Sequence, residues 1–191
     1  MTNDKRAIRS RHLLRDAFLG LLRKKRYEDI SVQDIIERAG VARSTFYAHF
    51  MDKEDLLVGP CGVFARDVKS HTDPGKDDRK RVRPFPTICF WYNILSHRET
   101  FEIIAKDAAM DVTMRDLYKK LCAIMKAHIE RDPSDRGAIP SSLAVDHLAG
   151  SIITLVKWWV KQGMTYPPEQ MDEIFHRMLM PVIPSNQLPR T

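Results

Sequence analysis

The chain is poor in the residues that mark several large protein classes. Its 191 residues hold three cysteines, Cys61, Cys89 and Cys122, odd in number and widely spaced. That spacing suits buried free thiols in a reducing cytosol better than a disulfide framework or a zinc site. Long apolar runs are missing too: no stretch of about 18 uncharged apolar residues occurs, so no membrane span is expected. The first residues, MTNDKRAIRSR, are charged and lead into no apolar signal core. His71, His97, His128, His147 and His176 show no metal-ligand spacing, and neither a phosphate loop nor a nucleophile motif is present. Catalysis, a bound metal and a cofactor are therefore not expected. Period-two alternation is lacking, and with it any case for a β-sheet. These absences leave an all-α protein of the cytoplasm.

Acidic residues are fewer than basic ones, and the shortfall is local. The net charge is +6, of which +3 lies in residues 1–60, +3 in residues 61–83 and none in residues 84–191. A basic front half suggests a polyanionic partner for that half. Lys5, Arg6, Arg9 and Arg11 come before or within the opening of the first helix, and two readings stay open for them: an arm reaching a groove or the backbone of a nucleic acid, or a solvated helix start. The run RKKR at residues 23–26 ends the same helix, where cations complement the helix dipole.

Period-3.6 patterning covers most of the chain and predicts about nine helices. The first, roughly residues 4–25, has an apolar stripe of Leu14, Ala17, Phe18, Leu21 and Leu22. Ser31, with Asp34 three residues on, is the start signal of a short second helix through Arg38, with an inner face of Val32, Ile35, Ile36 and Ala39. Gly40 can take the left-handed conformation that stops it. A third helix runs to about Phe50, and Asp52 caps a fourth that has Glu54 and Asp55 in its first turn. The stretch TDPGKDDRKRVRP, residues 72–84, breaks the pattern; it reads as a solvated connector or as a basic element near DNA. Further helices are expected near residues 86–97, 99–108, 111–131, 141–163 and 168–180. The division is an N-terminal domain over residues 1–58, a helical second domain over residues 59–183, and a disordered tail over residues 184–191.

On a helical wheel at about 100° per residue, Phe46 and Phe50 of the third helix fall together and point into a core. Ser44, Thr45, Tyr47 and Ala48 fall on the opposite half, flanked by Arg43 and His49. That outer face holds hydrogen-bond donors and one aromatic, and it holds no carboxylate. Two short helices joined by a glycine turn, the second with such a face, describe a helix-turn-helix reader of double-stranded DNA. Ser, Thr and Arg suit base edges in the major groove, and Tyr, His and Lys suit phosphate oxygens.

The string VQDIIERAGVARSTFYAHFMDKEDLL resembles the DNA-binding domain of the TetR family of bacterial transcriptional regulators. The matching positions are the Ile-rich second helix, Ala39-Gly40-Val41, Ser44-Thr45-Phe46-Tyr47, His49-Phe50, Lys53-Glu54 and Leu56-Leu57, within about residues 8–58. The resemblance implies that Tyr47, His49 and Lys53 contact phosphates and that Arg43, Ser44 and Thr45 occupy the base-reading side. Ser31 would present the start of the second helix to a phosphate. One position departs from the pattern: Ala42 stands where the family often has Ser or Thr, which removes a helix cap.

Family members pair through their last two long helices, which corresponds here to residues 141–180. Val145, Leu148, Ala149, Ile152, Val156, Trp159 and Val160 form one apolar stripe, with Ala144, Ser151, Leu155 and Trp158 beside it. A face of roughly 200° is about twice the width one core contact needs. The expected homodimer interface is therefore Ala144, Leu148, Ser151, Ile152, Leu155, Trp158, Trp159, Phe175 and Met178. The run GSIITLVKWWVKQGMTYPPEQMDEIFHRML is also similar to the C-terminal domain of the subgroup typified by the dihydroxyacetone kinase regulator. The family's cavity for a small-molecule inducer would have Trp91, Ile94, Phe101, Met110, Met114, Leu117 and Met125 as walls; the inducer itself is unknown. Expected partners are thus duplex DNA, a second copy of the chain and that inducer, with no membrane. The best reading is a homodimeric repressor released from its operator by ligand. The alternative is an adaptor of the same fold that acts through a partner protein.

Overall fold

The computed structural model describes residues 2–58, 87–129 and 140–179. The expected 72–84 connector, Cys61 and the 184–191 tail lie outside these residues. Among those described, nine α-helices and one 3-10 turn occur and no strand does. We label them α1 (Thr2–Leu22), α2 (Val32–Ala39), α3 (Arg43–Tyr47), α4 (Lys53–Val58), α5 (Ile88–Ser96), α6 (Arg98–Ile104), α7 (Ala108–Ile129), α8 (Ser141–Lys161) and α9 (Pro168–Leu179), with the 3-10 turn at Tyr27–Asp29.

Internal contacts divide the chain into two units. The first is Met1–Gly62 with Glu99–Arg115, and the second is Val63–Arg98 with Asp116–Thr191. The first unit thus takes a segment that patterning assigns to the second domain. Two polar contacts bind it there: the Tyr27 backbone N–H donates to the Asp107 carboxylate, and Arg23 pairs with Glu99.

In the first unit, the stripe of α1 is the core wall. Leu14, Ala17, Phe18, Leu21 and Leu22 are all buried, against Ile35 and Ile36 of α2, the main partner of α1. Val32 and Ala39, expected on the same inner face, are only half-buried. Burying a side chain such as Phe18 or Leu14 is worth about 1.5–3 kcal/mol. The start of α2 is locally determined: the Ser31 hydroxyl accepts from the Asp34 N–H at 3.1 Å, and the Asp34 carboxylate accepts from the Ser31 N–H at 2.8 Å. Its end is too. Gly40 sits at φ 64° and ψ 36°, and the N–H groups of Gly40 and Val41 donate back to the Glu37 and Ile36 carbonyls. These are the two bonds of a Schellman stop, in a backbone region that disfavours any residue with a Cβ. At α4, the Asp52 carboxylate accepts from the Asp55 N–H at 2.8 Å, the cap expected from sequence.

The second unit is centred on aromatics. Trp91 is fully buried and meets Trp159 edge-on at 5.8 Å between ring centres and Phe175 at 6.5 Å. The Trp159 indole N–H donates to the Tyr166 carbonyl at 3.0 Å, so this large ring is buried with its polar atom satisfied. Helix α9 packs on α5 and α8, and the Thr87 hydroxyl donates to the buried Asp172 carboxylate at 2.5 Å. Among the described residues, α8 is long and apolar enough to cross a bilayer by length and hydropathy, although the sequence offers no uncharged run of that length. Its apolar face is otherwise engaged: Val145, Leu148, Ala149, Ile152, Leu155, Val156, Trp159 and Val160 are buried within the chain. Core burial accounts for its composition.

Candidate nucleic-acid interface

Helix α3 has five residues, but helical hydrogen bonding continues past it, with the Ala48 and Phe50 N–H groups donating to the Ser44 and Phe46 carbonyls at 3.0 and 2.9 Å. The two phenylalanines anchor it. Phe46 is fully buried and Phe50 nearly so, with ring centres 5.9 Å apart. With that side fixed inward, the other side is turned to solvent. Arg43, Ser44, Tyr47 and Ala48 are exposed, and Thr45 and His49 are half-buried. Tyr47 is 49% exposed, with its ring packed edge-on against Phe46 at 5.3 Å and the Arg43 guanidinium 5.6 Å above its face. The phenol is thus held from both sides while its hydroxyl stays open. No carboxylate lies on this face between residues 43 and 50.

Ser31 is exposed at the start of α2, with its hydroxyl engaged by Asp34. The Ser31 hydroxyl and N–H, and after them Lys25, hold the Asp34 carboxyl well below the usual carboxylate range. The Ala42 position has the extended backbone of a helix cap, φ −71° and ψ 151°, but no side-chain cap bond, as the departure at this position implies.

Lys53 is engaged within its own chain. Expected on a phosphate, its ammonium instead turns inward, donating to the Tyr27 and Ile30 carbonyls at 2.8 Å each and to that of Glu28 at 3.4 Å. It also lies 4.4 Å from the centre of the Tyr27 ring. All three donors are thereby spent on the 3-10 turn that leads into α2. These bonds tie the start of α4 to that turn. The Tyr27 phenol beneath it is pushed up to about 12, first by burial and then by the Glu54 and Asp52 charges, against the lowering effect of Arg115.

The expected interface and cavity residues of the second half separate by burial. Leu148, Ile152, Leu155, Trp159 and Phe175 are buried in this chain's own core. Trp158, at 39% exposure, and Met178, at 57%, do present apolar surface, and Ala144 and Ser151 are half-buried. The breadth of the apolar face suggests two surfaces, whereas most of it is one deep core contact.

The expected cavity walls are all buried: Trp91, Ile94, Phe101, Met110, Met114, Leu117 and Met125. They divide between the units, with Phe101, Met110 and Met114 in the first and the other four in the second. A cavity of about 440 Å³ in the second unit is lined by none of them but by Cys122, Ala123, Lys126, Ser141, Ser142, Val145 and Asp146. Cys89 and Cys122 are half-buried, and the Cys122 thiol faces the Asp146 carboxylate at 4.0 Å. Among the described residues no group of three or more His, Cys, Asp or Glu is placed to hold a metal ion.

A helix stopped by a left-handed glycine, followed by a short helix with an acid-free outer face, on a three-helix core, defines the helix-turn-helix class. Residues 14–58 match the family described as bacterial regulatory proteins, tetR family, and residues 91–181 match that described as transcriptional regulator C-terminal region. The chain belongs to the TetR family of bacterial regulatory proteins. It is 24% identical over 181 residues to YxbF, an uncharacterized HTH-type transcriptional regulator of Bacillus subtilis, covering 92% of this chain and 46% of that protein. It is 38% identical over 55 residues to DhaS of Lactococcus lactis, an HTH-type dhaKLM operon transcriptional activator, covering 29% of each. It is 29% identical over 141 residues to the regulator EthR of Mycobacterium tuberculosis, covering 69% of this chain and 65% of that one. The matched stretch is thus less than two thirds of each relative. Among solved structures, a putative TetR-family regulator from Syntrophomonas wolfei has the same fold, with a TM-score of 0.65 at 22% identity over 88% of this chain and 92% of that one. The dihydroxyacetone kinase operon activator DhaS is similar at a TM-score of 0.55 and 18% identity, over 91% and 96% of the two chains.

Proposed function

We propose that the chain is a bacterial transcriptional repressor acting in the cytoplasm as a homodimer, with two copies of α3 in successive major grooves of an operator. The observation that carries this reading is the outer face of α3, where exposed donors and no carboxylate are held outward by the buried Phe46 and Phe50. In this reading Arg43, Ser44 and Thr45 meet base edges, Tyr47 and His49 meet phosphates, and Ser31 offers the start of α2 to the backbone. Lys53 acts indirectly, by holding the turn before α2. Pairing uses Trp158 and Met178 with Ala144 and Ser151 at their margins, and two-fold symmetry sets the half-sites about one helical turn or a multiple apart. A small molecule held in the second unit favours a conformation with the wrong separation of reading helices, so release is a population shift.

The test is selection of bound fragments from the source genome at low ionic strength, followed by transcription in vitro from the recovered site. Enrichment of a two-fold-related sequence and reduced transcription are expected. Failure to enrich any fragment overturns DNA binding. Enrichment with increased transcription, the behaviour that the name of DhaS gives to that relative, overturns repression alone.

A further inference from the structure

The opening turns of α1 stand clear of the core. From Lys5 to Leu13 no side chain is buried, and Leu14 is the first buried residue of the helix. Even Ile8 and Leu13 are 48% and 41% exposed. At 1.5 Å per residue, residues 5–13 form a projection of about 14 Å. The family match begins at residue 14, inside this helix. Helices gain most of their stability from packing an apolar face, and this one has none to gain from here.

Its charge points to what it meets. Lys5, Arg6, Arg9 and Arg11 are exposed, with no acidic residue between positions 5 and 15. Among the described residues, none of the four side chains makes an ion pair or hydrogen bond. Lys5 and Arg9 are four residues apart, where like charges repel along a helix. A polyanion removes that repulsion. Lys5, Arg6 and Arg9 fall within about 100° of one another on the wheel, while Arg11 falls on the other side. Ile8 and Leu13 are about 140° apart, so they form no continuous apolar face of the kind a helix lying in a bilayer surface needs. Duplex DNA satisfies the charge and asks for no apolar face.

We propose that the projecting start of α1 is a second DNA contact, in which Lys5, Arg6 and Arg9 meet phosphates of the duplex that α3 reads. The inference rests on the DNA-binding reading above and adds to it a sequence-neutral clamp. It strengthens binding to every site alike and leaves site preference to α3.

The test compares three variants with the wild-type chain on a random-sequence duplex across a salt series. Lys5→Gln/Arg6→Gln/Arg9→Gln should make the slope of log affinity against log salt shallower by about 2.7 for each bound protomer, at about 0.9 for each phosphate no longer neutralised. The charge-preserving Lys5→Arg/Arg6→Lys/Arg9→Lys should keep the wild-type slope. Arg115→Gln/Lys119→Gln/Lys161→Gln, which removes the same net charge elsewhere, should keep it too. Circular dichroism checks that all three remain helical. Equal slopes for the first variant and the charge-matched one overturn the clamp. So does wild-type chain that pellets with phosphatidylserine vesicles through these residues while its DNA slope ignores them. A wild-type chain that binds no duplex overturns the DNA-binding reading instead, a separate result.

Discussion

The Lys53 ammonium lies 4.4 Å from the centre of the Tyr27 ring and donates to the Tyr27 and Ile30 carbonyls at 2.8 Å each. One side chain of α4 therefore fixes the turn from which α2 starts, and through the Gly40 stop, the placement of α3. Replacing it with methionine keeps the stem but leaves the carbonyls without their charged donor. We expect Lys53→Met to destabilise the fold by about 1–3 kcal/mol, read as a lower melting temperature without DNA. An unchanged melt with weaker DNA binding would return Lys53 to the phosphate backbone.

Ala42 has cap geometry without a cap, so the reading helix starts with an unmet donor. Ala42→Ser should supply it and stabilise the chain by about 1 kcal/mol. The measurement is a denaturant titration in which the midpoint rises and the slope is constant.

The Asp34 carboxyl has its pKa lowered by the Ser31 hydroxyl and N–H, and then by Lys25. A carboxyl depressed in the folded state contributes stability above its unfolded value of about 3.9, and that contribution is lost as pH falls below it. Asp34→Asn should therefore flatten the acid side of the stability profile below about pH 4 and leave its shape at neutral pH alone. An acid limb as steep as in the wild type would show that Ser31 and Lys25 do not set this titration.

Tyr47 and Thr45 should fail differently. Tyr47→Ala removes an exposed phenol assigned to phosphate and should weaken binding to unrelated duplexes by similar factors. Thr45→Ala should shift the preferred site, as read by selection from a random pool, with a smaller change in total affinity. Matching profiles for the two variants would refute the division of roles.

Trp158 and Trp159 are neighbours with opposite exposure, 39% and none. Trp158→Glu should convert a dimer to a monomer by light scattering while the melt stays cooperative. Trp159→Ala should cost about 3–5 kcal/mol of folding stability, with loss of cooperative unfolding as the visible sign. A Trp158→Glu chain that remains dimeric would place the interface elsewhere.

The local features are legible in the sequence because the information for them is local. The stripe from Leu14 to Leu22, the reciprocal bonds of Ser31 and Asp34, the left-handed Gly40 and the Asp52 cap each depend on residues within a few positions of one another. The same holds for α3, where spacing alone puts Phe46 and Phe50 inward and Tyr47 outward. Pattern and structure part where two surfaces compete for one helix. The wheel of α8 shows how wide its apolar face is but not how much of it one core can cover, so patterning alone does not show that Leu148, Leu155 and Trp159 are buried within the chain's own core.

By itself the sequence determined an all-helical chain, the helix-turn-helix motif and the chemistry of its outer face, because helix period, capping and glycine conformation act over a few residues. Only the tertiary structure decided that Lys53 serves Tyr27, 26 residues away, and that Asp107 takes the Tyr27 N–H from 80 residues away. It also decided that α1 projects beyond its core from Lys5 to Leu13. Contacts at such separations depend on how packed helices bring side chains together, and no periodicity along the chain encodes them.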